Sequence, residues 1–257
     1  MFQIKTVDIP NCPTATVTQV LIGETYKNMF DSFFRARQIE PIYVPDNPNV
    51  HKALKGHVDL SVFHAGNERI FITSSIKSID FVRKIEGNIN YSFVSNQKSS
   101  YPEDCNLNIA YNGTHLIYNE KTADEDIVRY LTKSADFNQC NVKQGYTKCS
   151  VCFVDANSII TGDPGIAKTC KVRGIEVLLI NDSFIRLDHF NKGFIGGSSF
   201  KTSQNELAFT GTIPDHKTRK QIEEFLENRN IKTVYMRDET IIDIGGIIPI
   251  TMKEQVN

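Results

Sequence analysis

The chain has 257 residues, of which 40% are hydrophobic and 23% are charged, and its formal net charge is −1. This composition is typical of a soluble globular protein with a sizeable core. No apolar run approaches the roughly 20 residues needed to cross a bilayer, and no cluster of five or more Lys and Arg residues indicates a nucleic-acid partner. We therefore expect no membrane segment and no nucleic-acid binding.

The N-terminus and the cysteines favour a cytoplasmic location. The first residues, MFQIKTVDIPNCP, show no charged region followed by a long apolar stretch, so we expect neither a signal peptide nor a transit peptide. Six cysteines in 257 residues are too few for a disulfide-stapled scaffold, and we interpret them as reduced thiols.

One pattern recurs five times along the chain: a short apolar strand, a polar turn, an amphipathic helix and a second β-rich strand. The copies begin at Val17, Arg69, His115, Ser158 and Leu207. When the residues that end each first strand are aligned, the spacings are 51, 46, 42 and 49 residues. A repeat of this length predicts one supersecondary unit per copy.

The helices of these copies carry recognisable start signals. Asp163 before Pro164 predicts an N-cap followed by a first-turn proline, and Thr122 with Glu125 predicts a capping box. Apolar residues at helical spacing, as in Ile222, Phe225 and Leu226, predict one face that lies on a sheet.

Five further strand-like stretches link the copies, at residues 56–64, 106–112, 148–155, 193–200 and 242–250. The last one precedes no further copy, whereas the first copy has no such strand before it. If the C-terminal strand completes the first module, the ring closes and leaves no open sheet edge. We expect a single α/β domain over residues 1–257.

Five ββαβ modules closed by the C-terminal strand resemble the pentein fold, or guanidino-group-modifying enzyme fold, which is an α/β propeller. The segments GHVDLSVFHAGN, VKQGYTKCSVC, FIGGSS and DIGGIIP further resemble an uncharacterised bacterial family of unknown function within that fold. The resemblance implies a cysteine nucleophile that attacks a guanidinium or amidine carbon. It also implies a histidine that moves protons and carboxylates that hold the cation.

The linking strands should converge on a central channel, and four of their residues match that chemistry. His57 and Asp59 are two residues apart, which on a strand places both on one face. Their HVD sequence resembles the His-x-acidic motif of the pentein enzymes. Cys149 is the predicted nucleophile, and Asp243 is the predicted second carboxylate.

Cys149 and Cys152 invite other readings. An odd separation on a strand points the two side chains to opposite faces, and the chain has no second ligand pair at similar spacing, so a zinc clip is not expected. Cys152 is interpreted as core. Cys149 is either core or a nucleophile, because Lys143 and Lys148 are near enough in sequence to favour its thiolate. We predict no metal and no cofactor.

A second group of residues offers ligand-binding chemistry. Each also has a structural interpretation, because a histidine beside a turn often bonds backbone groups and paired glycines often relieve crowding. The predicted ligand-binding residues are Lys143, Gln144, Tyr146, His64, Asn67, Gly196 and Gly197.

The predicted ligand is a small, polar, cationic molecule. One hypothesis is a cysteine-dependent hydrolase or transferase that acts on a guanidino or amidino compound. The alternative is a non-catalytic binding protein on the same fold, with a ligand or a macromolecule as partner. The alternative arises because pentein enzymes place the nucleophile late in the chain, in a glycine-rich closing segment, and DIGGIIPITM contains no cysteine.

Overall fold

The structure, a computed structural model, describes residues 1–86, 89–95, 99–134 and 137–255. The strands are β1 Phe2–Thr6, β2 Thr16–Gly23, β3 Glu40–Val44, β4 Val62–Gly66, β5 Arg69–Thr73, β6 Asn90–Val94, β7 Ala110–Tyr111, β8 His115–Tyr118, β9 Asn138–Asn141, β10 Val151–Phe153, β11 Ser158–Thr161, β12 Glu176–Leu179, β13 Ser199–Ser203, β14 Glu206–Phe209, β15 Lys232–Tyr235 and β16 Ile248–Gln255. The helices are α1 Asp31–Arg37, α2 Ile79–Ile85, α3 Glu125–Ser134, α4 Thr147–Ser150, α5 Pro164–Val172 and α6 His216–Glu227.

The described strands form five small mixed sheets. In chain order, the second to fifth sheets are β4-β5-β6, β7-β8-β9, β10-β11-β12 and β13-β14-β15. Within each, the first two strands pair antiparallel and the last two pair parallel. A parallel pair needs a crossover, and a helix supplies it in every copy. The fivefold repeat predicted from the sequence is confirmed.

The first sheet contains both ends of the described chain. Its order is β1-β16-β2-β3, so the C-terminal strand lies antiparallel between β1 and β2. Ile248 pairs with Leu21, and Met252 pairs with Val17. The C-terminal strand thus takes the position in the first sheet that a linking strand takes in the other four, as the sequence predicts.

Apolar packing between the sheets is cyclic. Each of the five largest core clusters joins residues of two neighbouring sheets. Leu21 and Ile70 belong to the cluster between the first and second sheets, whereas Ile22 and Phe200 belong to the cluster between the first and fifth. The fifth sheet therefore packs back on the first.

Helix starts confirm one prediction and correct another. The Asp163 carboxylate accepts a hydrogen bond from the Ile166 backbone N–H at 2.9 Å, and Pro164 opens α5. The capping box predicted at Thr122 is wrong. Helix α3 begins at Glu125, and the Asp124 carboxylate accepts from the Ile127 N–H at 3.2 Å.

All five linking strands begin later than the sequence predicts, and a helical turn occupies the predicted start of three of them. A 3-10 turn, Val58–Leu60, precedes β4; helix α4 precedes β10; and a second 3-10 turn, Gly196–Ser198, precedes β13. The α4 turn is stabilised by the Ser150 hydroxyl, which donates to the Tyr146 carbonyl at 2.8 Å. His57, Asp59 and Cys149 consequently lie ahead of the strands, as does Asp243 ahead of β16, and the prediction that these four residues lie on strands is wrong.

Within the described ranges, the structure contains no helix that is both long enough and apolar enough to cross a membrane.

Candidate functional site

The four residues predicted to be catalytic lie close together, in segments that precede strands of three different sheets. His57 and Asp59 precede the second sheet, Cys149 precedes the fourth, and Asp243 precedes β16 of the first. Three polar atoms, one from each of His57, Cys149 and Asp243, lie within 4.8 Å of one another. All four residues are at most 3% exposed. Residues that are far apart in sequence thus form one buried polar cluster.

The Cys149 thiol is held from two sides. Its Sγ donates a hydrogen bond to Asp59 Oδ2 at 2.8 Å. On the other side, the Asn108 side chain donates from Nδ2 to Sγ at 3.3 Å and accepts from the Cys149 backbone N–H at 3.0 Å. These contacts fix both the main chain and the sulfur of Cys149.

Asn108 was not predicted as a site residue, although the repeat carries a signal for it. Asn106 and Asn108 occupy in the third module the place that His57 and Asp59 occupy in the second, just ahead of the first strand of the sheet. A residue-by-residue alignment of the linking segments would have selected Asn108.

Burial is the largest influence on the pKa values of Cys149 and Asp59. It raises the pKa of the Cys149 thiol well above its usual value, and the negative charges of Asp59 and Asp243 raise it further. Burial also raises the pKa of Asp59, an effect that the His57 and Lys148 charges oppose. The sequence-based expectation that Lys143 and Lys148 favour a thiolate is therefore wrong for the resting site, because carboxylates surround the sulfur.

Asp243 is anchored by the backbone. Its Oδ1 accepts from the Gly245 N–H and its Oδ2 from the Phe194 N–H, both at 2.9 Å. His57 Nδ1 lies 3.9 Å from Asp243 Oδ1, and His57 Nε2 has no hydrogen-bond partner among the described residues. The geometry leaves the imidazole edge available to a ligand.

Glycines allow these side chains to approach the backbone. A Cβ at Gly197 would overlap the Asp243 carboxylate, and a Cβ at Gly245, whose φ is +71°, would overlap His57. Gly196 packs against the Val151 carbonyl, and its own carbonyl accepts from Lys148 Nζ at 3.2 Å. These contacts support the crowding interpretation of Gly196 and Gly197, and a direct role of either in ligand binding stays a prediction.

A cavity of about 110 Å³ opens beside the cluster. His57, Cys149 and Asp243 form its polar end, and Lys192, which is ion-paired with Asp182, also lines it. Its remaining walls are the apolar and aromatic side chains Leu54, Leu60, Tyr146, Leu187, Phe190 and Phe194. Aromatic walls with a carboxylate at the end suit a flat organic cation.

Tyr146 is the predicted ligand-binding residue that the structure places in this cavity wall. Its hydroxyl donates to Asp104 Oδ2 at 2.8 Å, which fixes the ring. Burial, followed by the hydrogen bond to Asp104, raises the pKa of Tyr146. The phenol is therefore neutral, and it offers its ring face to the cavity.

Three other predicted ligand-binding residues are placed elsewhere. Lys143 is exposed, and its carbonyl accepts from the Asn119 side chain at 2.9 Å. Gln144 accepts from the Tyr146 N–H at 3.1 Å and so serves the turn before α4. Asn67 is exposed in the tight turn between β4 and β5, with a φ of +47°. Among the described residues, these three are outside the walls of the cavity.

Cys152 and His64 lie outside the walls of the 110 Å³ cavity. Cys152, on β10, belongs to the core cluster between the fourth and fifth sheets, as expected. His64, on β4, is 3% exposed and lines a second, much smaller cavity of about 20 Å³.

The cluster contains ligand types that zinc accepts, namely an imidazole, a thiol and a carboxylate. A metal ion at this position would have to replace the thiol proton that Asp59 now accepts, and it would compete with the two N–H donors for Asp243. The existing hydrogen bonds favour a protonated thiol paired with Asp59 over a metal-bound thiolate.

Comparisons with known proteins agree with the fold. The model of a family of unknown function (DUF6873) matches residues 21–248. No curated protein matches the sequence of the chain.

Solved structures match with low identity over nearly the whole chain. An inosamine-phosphate amidinotransferase from Streptomyces griseus matches with a TM-score of 0.60 and 8% identity, over 96% of this chain and 97% of that one. An agmatine deiminase from C. jejuni matches with a TM-score of 0.53 and 10% identity, over 91% and 90%. A dimethylarginine dimethylaminohydrolase matches with a TM-score of 0.55 and 9% identity, over 93% and 100%. These similarities show the pentein fold, as the sequence resemblance implies.

Proposed function

Because the chain belongs to this family of unknown function and has the pentein fold, we propose that it is a cysteine-dependent enzyme that acts on a small cationic guanidino or amidino compound, as a hydrolase or a transferase. The observation that carries the proposal is the hydrogen bond between Cys149 and Asp59, which lies beside His57 and Asp243 at the polar end of an aromatic cavity.

The charges of the site support a cationic substrate. Two buried carboxylates, Asp59 and Asp243, lie next to the thiol, and the lysine in the cavity wall is already paired with Asp182. A guanidinium ion would offset these negative charges and would lower the pKa of Cys149, which they now raise. The substrate would thus activate the nucleophile that attacks it.

Size also limits the substrate. A volume of about 110 Å³ is small beside the roughly 300–1,000 Å³ of a pocket that holds a drug-sized ligand. The cavity would therefore hold a guanidino head group and little more, and the rest of a larger substrate would extend past the half-exposed Phe190 at the mouth.

In the first step, Asp59 takes the thiol proton across the 2.8 Å hydrogen bond, and the Cys149 sulfur forms a bond to the central carbon of the guanidinium. The bond from this carbon to the departing amine breaks, and protonated His57 donates a proton to that nitrogen. Asp243 holds the planar cation through its carboxylate. The product of this step is a covalent S-amidino cysteine and a free amine.

In the second step, water or an acceptor amine bonds to the same carbon and gives a proton to His57. The carbon–sulfur bond breaks, and Asp59 returns its proton to the thiolate. Water as the acceptor makes the enzyme a hydrolase, and an amine makes it a transferase. Both outcomes restore Cys149, Asp59 and His57 to their starting protonation.

The architecture around this site is part of the proposal. We place the five sheets as blades of a propeller about the cluster, within one domain that spans residues 1–257. The cyclic packing of the five core clusters supports this arrangement.

The test compares two alkylating reagents of nearly equal size. 2-Chloroacetamidine carries a planar cation, and 2-chloroacetamide is its neutral counterpart. After each rate is normalised to that of a free thiol, we expect the cation to label Cys149 at least about tenfold faster, a ratio that corresponds to about 1.4 kcal/mol of differential binding. Peptide mass spectrometry locates the label, and Cys12, which is partly exposed, serves as the internal control.

A screen of guanidino compounds, agmatine included, then follows release of amine, ammonia or urea and transfer to added amines. Equal labelling of Cys149 by both reagents, together with no turnover, would overturn the enzyme proposal. If the same compounds still raised the melting temperature, the protein would be a non-catalytic binding protein on the same fold.

A further inference from the structure

The second cavity lies directly behind the nucleophile. Its volume of about 20 Å³ is close to the space that one water molecule needs. Asp59 lines this cavity and Cys149 lines the larger one, so the hydrogen bond between them separates the two spaces. His64 and Lys148 also line the small cavity, and most of its other lining residues are apolar, for example Val62 and Leu107.

Two buried polar atoms of this lining lack partners. Among the residues that the structure describes, neither Asp59 Oδ1 nor His64 Nε2 makes a hydrogen bond. Both residues are 3% exposed. A buried polar atom without a partner destabilises the fold, so two such atoms at one cavity indicate a ligand that bonds both.

The protonation of His64 follows from its contacts. The Gly66 N–H donates to His64 Nδ1 at 2.9 Å, so Nδ1 carries a lone pair. Burial lowers the pKa of His64 to about 3, which keeps the ring neutral near pH 7. The ring proton is therefore on Nε2, and this atom is a donor. Asp59 Oδ1 is an acceptor.

Size and charge select water as the ligand. The cavity is too small for an organic molecule. The carboxylate of Asp59 disfavours an anion, and the ammonium group of Lys148 disfavours a cation. Lys148 already donates to the Gly196 carbonyl, and its ammonium group has further protons to give. Water can accept from two donors and donate to the carboxylate, which matches the groups present.

We infer that one water molecule occupies this cavity, accepts hydrogen bonds from His64 Nε2 and Lys148 Nζ, and donates one to Asp59 Oδ1, so that His64 is a positioning residue for the Asp59–Cys149 pair. With Oδ1 bonded to the water and Oδ2 to the thiol, the carboxylate has one orientation. The inference of a water site depends only on the geometry of the protein without substrate. Its importance for turnover rests on the proposed function.

The first test is a high-resolution crystal structure of the unliganded protein. We expect one ordered water peak within hydrogen-bond distance of both Asp59 Oδ1 and His64 Nε2. Density that shows a direct contact between these two atoms, or no peak between well-ordered side chains, would overturn the water site.

The second test is the pH profile of Cys149 labelling by iodoacetamide. His64→Leu removes the donor to the water, and Val62→Ile fills the cavity while it keeps every polar group. In both variants Asp59 loses a bond that stabilises its charge and becomes a stronger base towards the thiol. We expect labelling at pH 7 to become about threefold faster, which corresponds to a shift of about half a pH unit.

His115→Leu is the matched control, because His115 is a 5% exposed histidine that begins β8 in the third sheet and bonds Asn157. It should leave the profile unchanged even if it lowers the melting temperature. An ordered water combined with unchanged profiles in both test variants would overturn the positioning role of His64. The preference for chloroacetamidine tests the enzyme proposal separately, since it does not depend on this water.

Discussion

Asp59 accepts the thiol proton of Cys149 at 2.8 Å, although the two residues are 90 positions apart in the chain. The Cys149 thiol and the Asp59 carboxyl group are both buried, and the pKa values of both are raised. The negative charge of either group makes ionisation of the other less favourable. This relationship connects the stability of the protein to the chemistry proposed for it.

Asp59→Asn is expected to stabilise the protein at neutral pH. A raised pKa in the folded state means that the native protein binds this proton more tightly than the unfolded chain does. The unfolding free energy therefore falls as pH rises above the ordinary carboxyl value of about 3.9 towards the folded pKa. Asparagine has no such proton, so the variant should gain about 1 kcal/mol or more at pH 7.5 and less at pH 5.

Urea unfolding at the two pH values measures this difference, and Asp238→Asn, at an exposed carboxylate, is the control. A variant that loses stability equally at both pH values would show that the Asp59 charge is fully compensated in the native state.

Asp243→Asn should have the opposite sign. Both oxygens of Asp243 accept backbone N–H groups, and an amide in this position would point its NH₂ group at one of these donors. We expect a loss of about 1–3 kcal/mol in unfolding free energy at neutral pH. Thermal and urea unfolding beside Asp59→Asn provide the measurement. Equal effects of the two substitutions would contradict the distinct environments of the two carboxylates.

Cys149 in the resting protein should react slowly with neutral iodoacetamide near pH 7. Burial and two carboxylates raise its pKa, so labelling should accelerate only above the free-thiol value of about 8.5. The raised pKa also means that this group's contribution to stability is complete below about pH 8.5 and is lost as pH rises through the folded value.

The same cysteine in urea-unfolded protein is the reference and should titrate near 8.5. Asp59→Asn should move the native profile towards lower pH, because it removes the nearest negative charge. If the apparent pKa of Cys149 labelling were lower in the native protein than in the unfolded protein, the conclusion that its surroundings raise this pKa would be wrong.

Gly197→Ala should disrupt the site more than the fold. Its methyl group would overlap the Asp243 carboxylate, so Asp243 or the turn before β13 must move. We expect a loss of about 1–3 kcal/mol and a large decrease in the chloroacetamidine preference at Cys149. Gly165→Ala is the matched control, because Gly165 lies within α5 and a Cβ added there would lie 3.1 Å from Asp163 Oδ1, without overlap. Unchanged labelling in Gly197→Ala would show that the turn absorbs the methyl group.

Cys149→Ala and Cys152→Ala should separate chemistry from packing. The first removes the proposed nucleophile and should abolish turnover of any substrate found in the screen. Cys152 is 2% exposed and packs in the core between the fourth and fifth sheets, so its replacement should lower the unfolding free energy by about 1 kcal/mol with turnover retained. Activity that survives Cys149→Ala would remove the covalent mechanism.

The repeat was readable from the sequence because hydrophobic periodicity and helix caps are local properties. The spacing of the five copies predicted the ββαβ units, and the unmatched stretch at 242–250 predicted the strand that pairs with β2. The same pattern selected His57, Asp59, Cys149 and Asp243, because equivalent segments of a repeat occupy equivalent places.

The helical turns ahead of β4, β10 and β13 could not be predicted from such local patterns. Whether Lys148 to Ser150 continues a strand or forms a helical turn depends on side-chain bonds such as that from Ser150 to the Tyr146 carbonyl. Likewise, Lys143, Gln144 and Asn67 have the chemistry of a binding site, yet local turn bonds and solvent exposure place them away from the cavity.

The sequence by itself determined the repeated unit, its closing strand and the chemical types that meet at the centre, since these follow from short-range patterns and from pseudosymmetry. Tertiary structure alone decided which groups bond one another there: Asn108 with Cys149, Asp243 with the backbone at Phe194, and Asp59 with Cys149 between two cavities. It also decided the raised pKa values, because burial depends on how all five sheets pack together and not on any single segment.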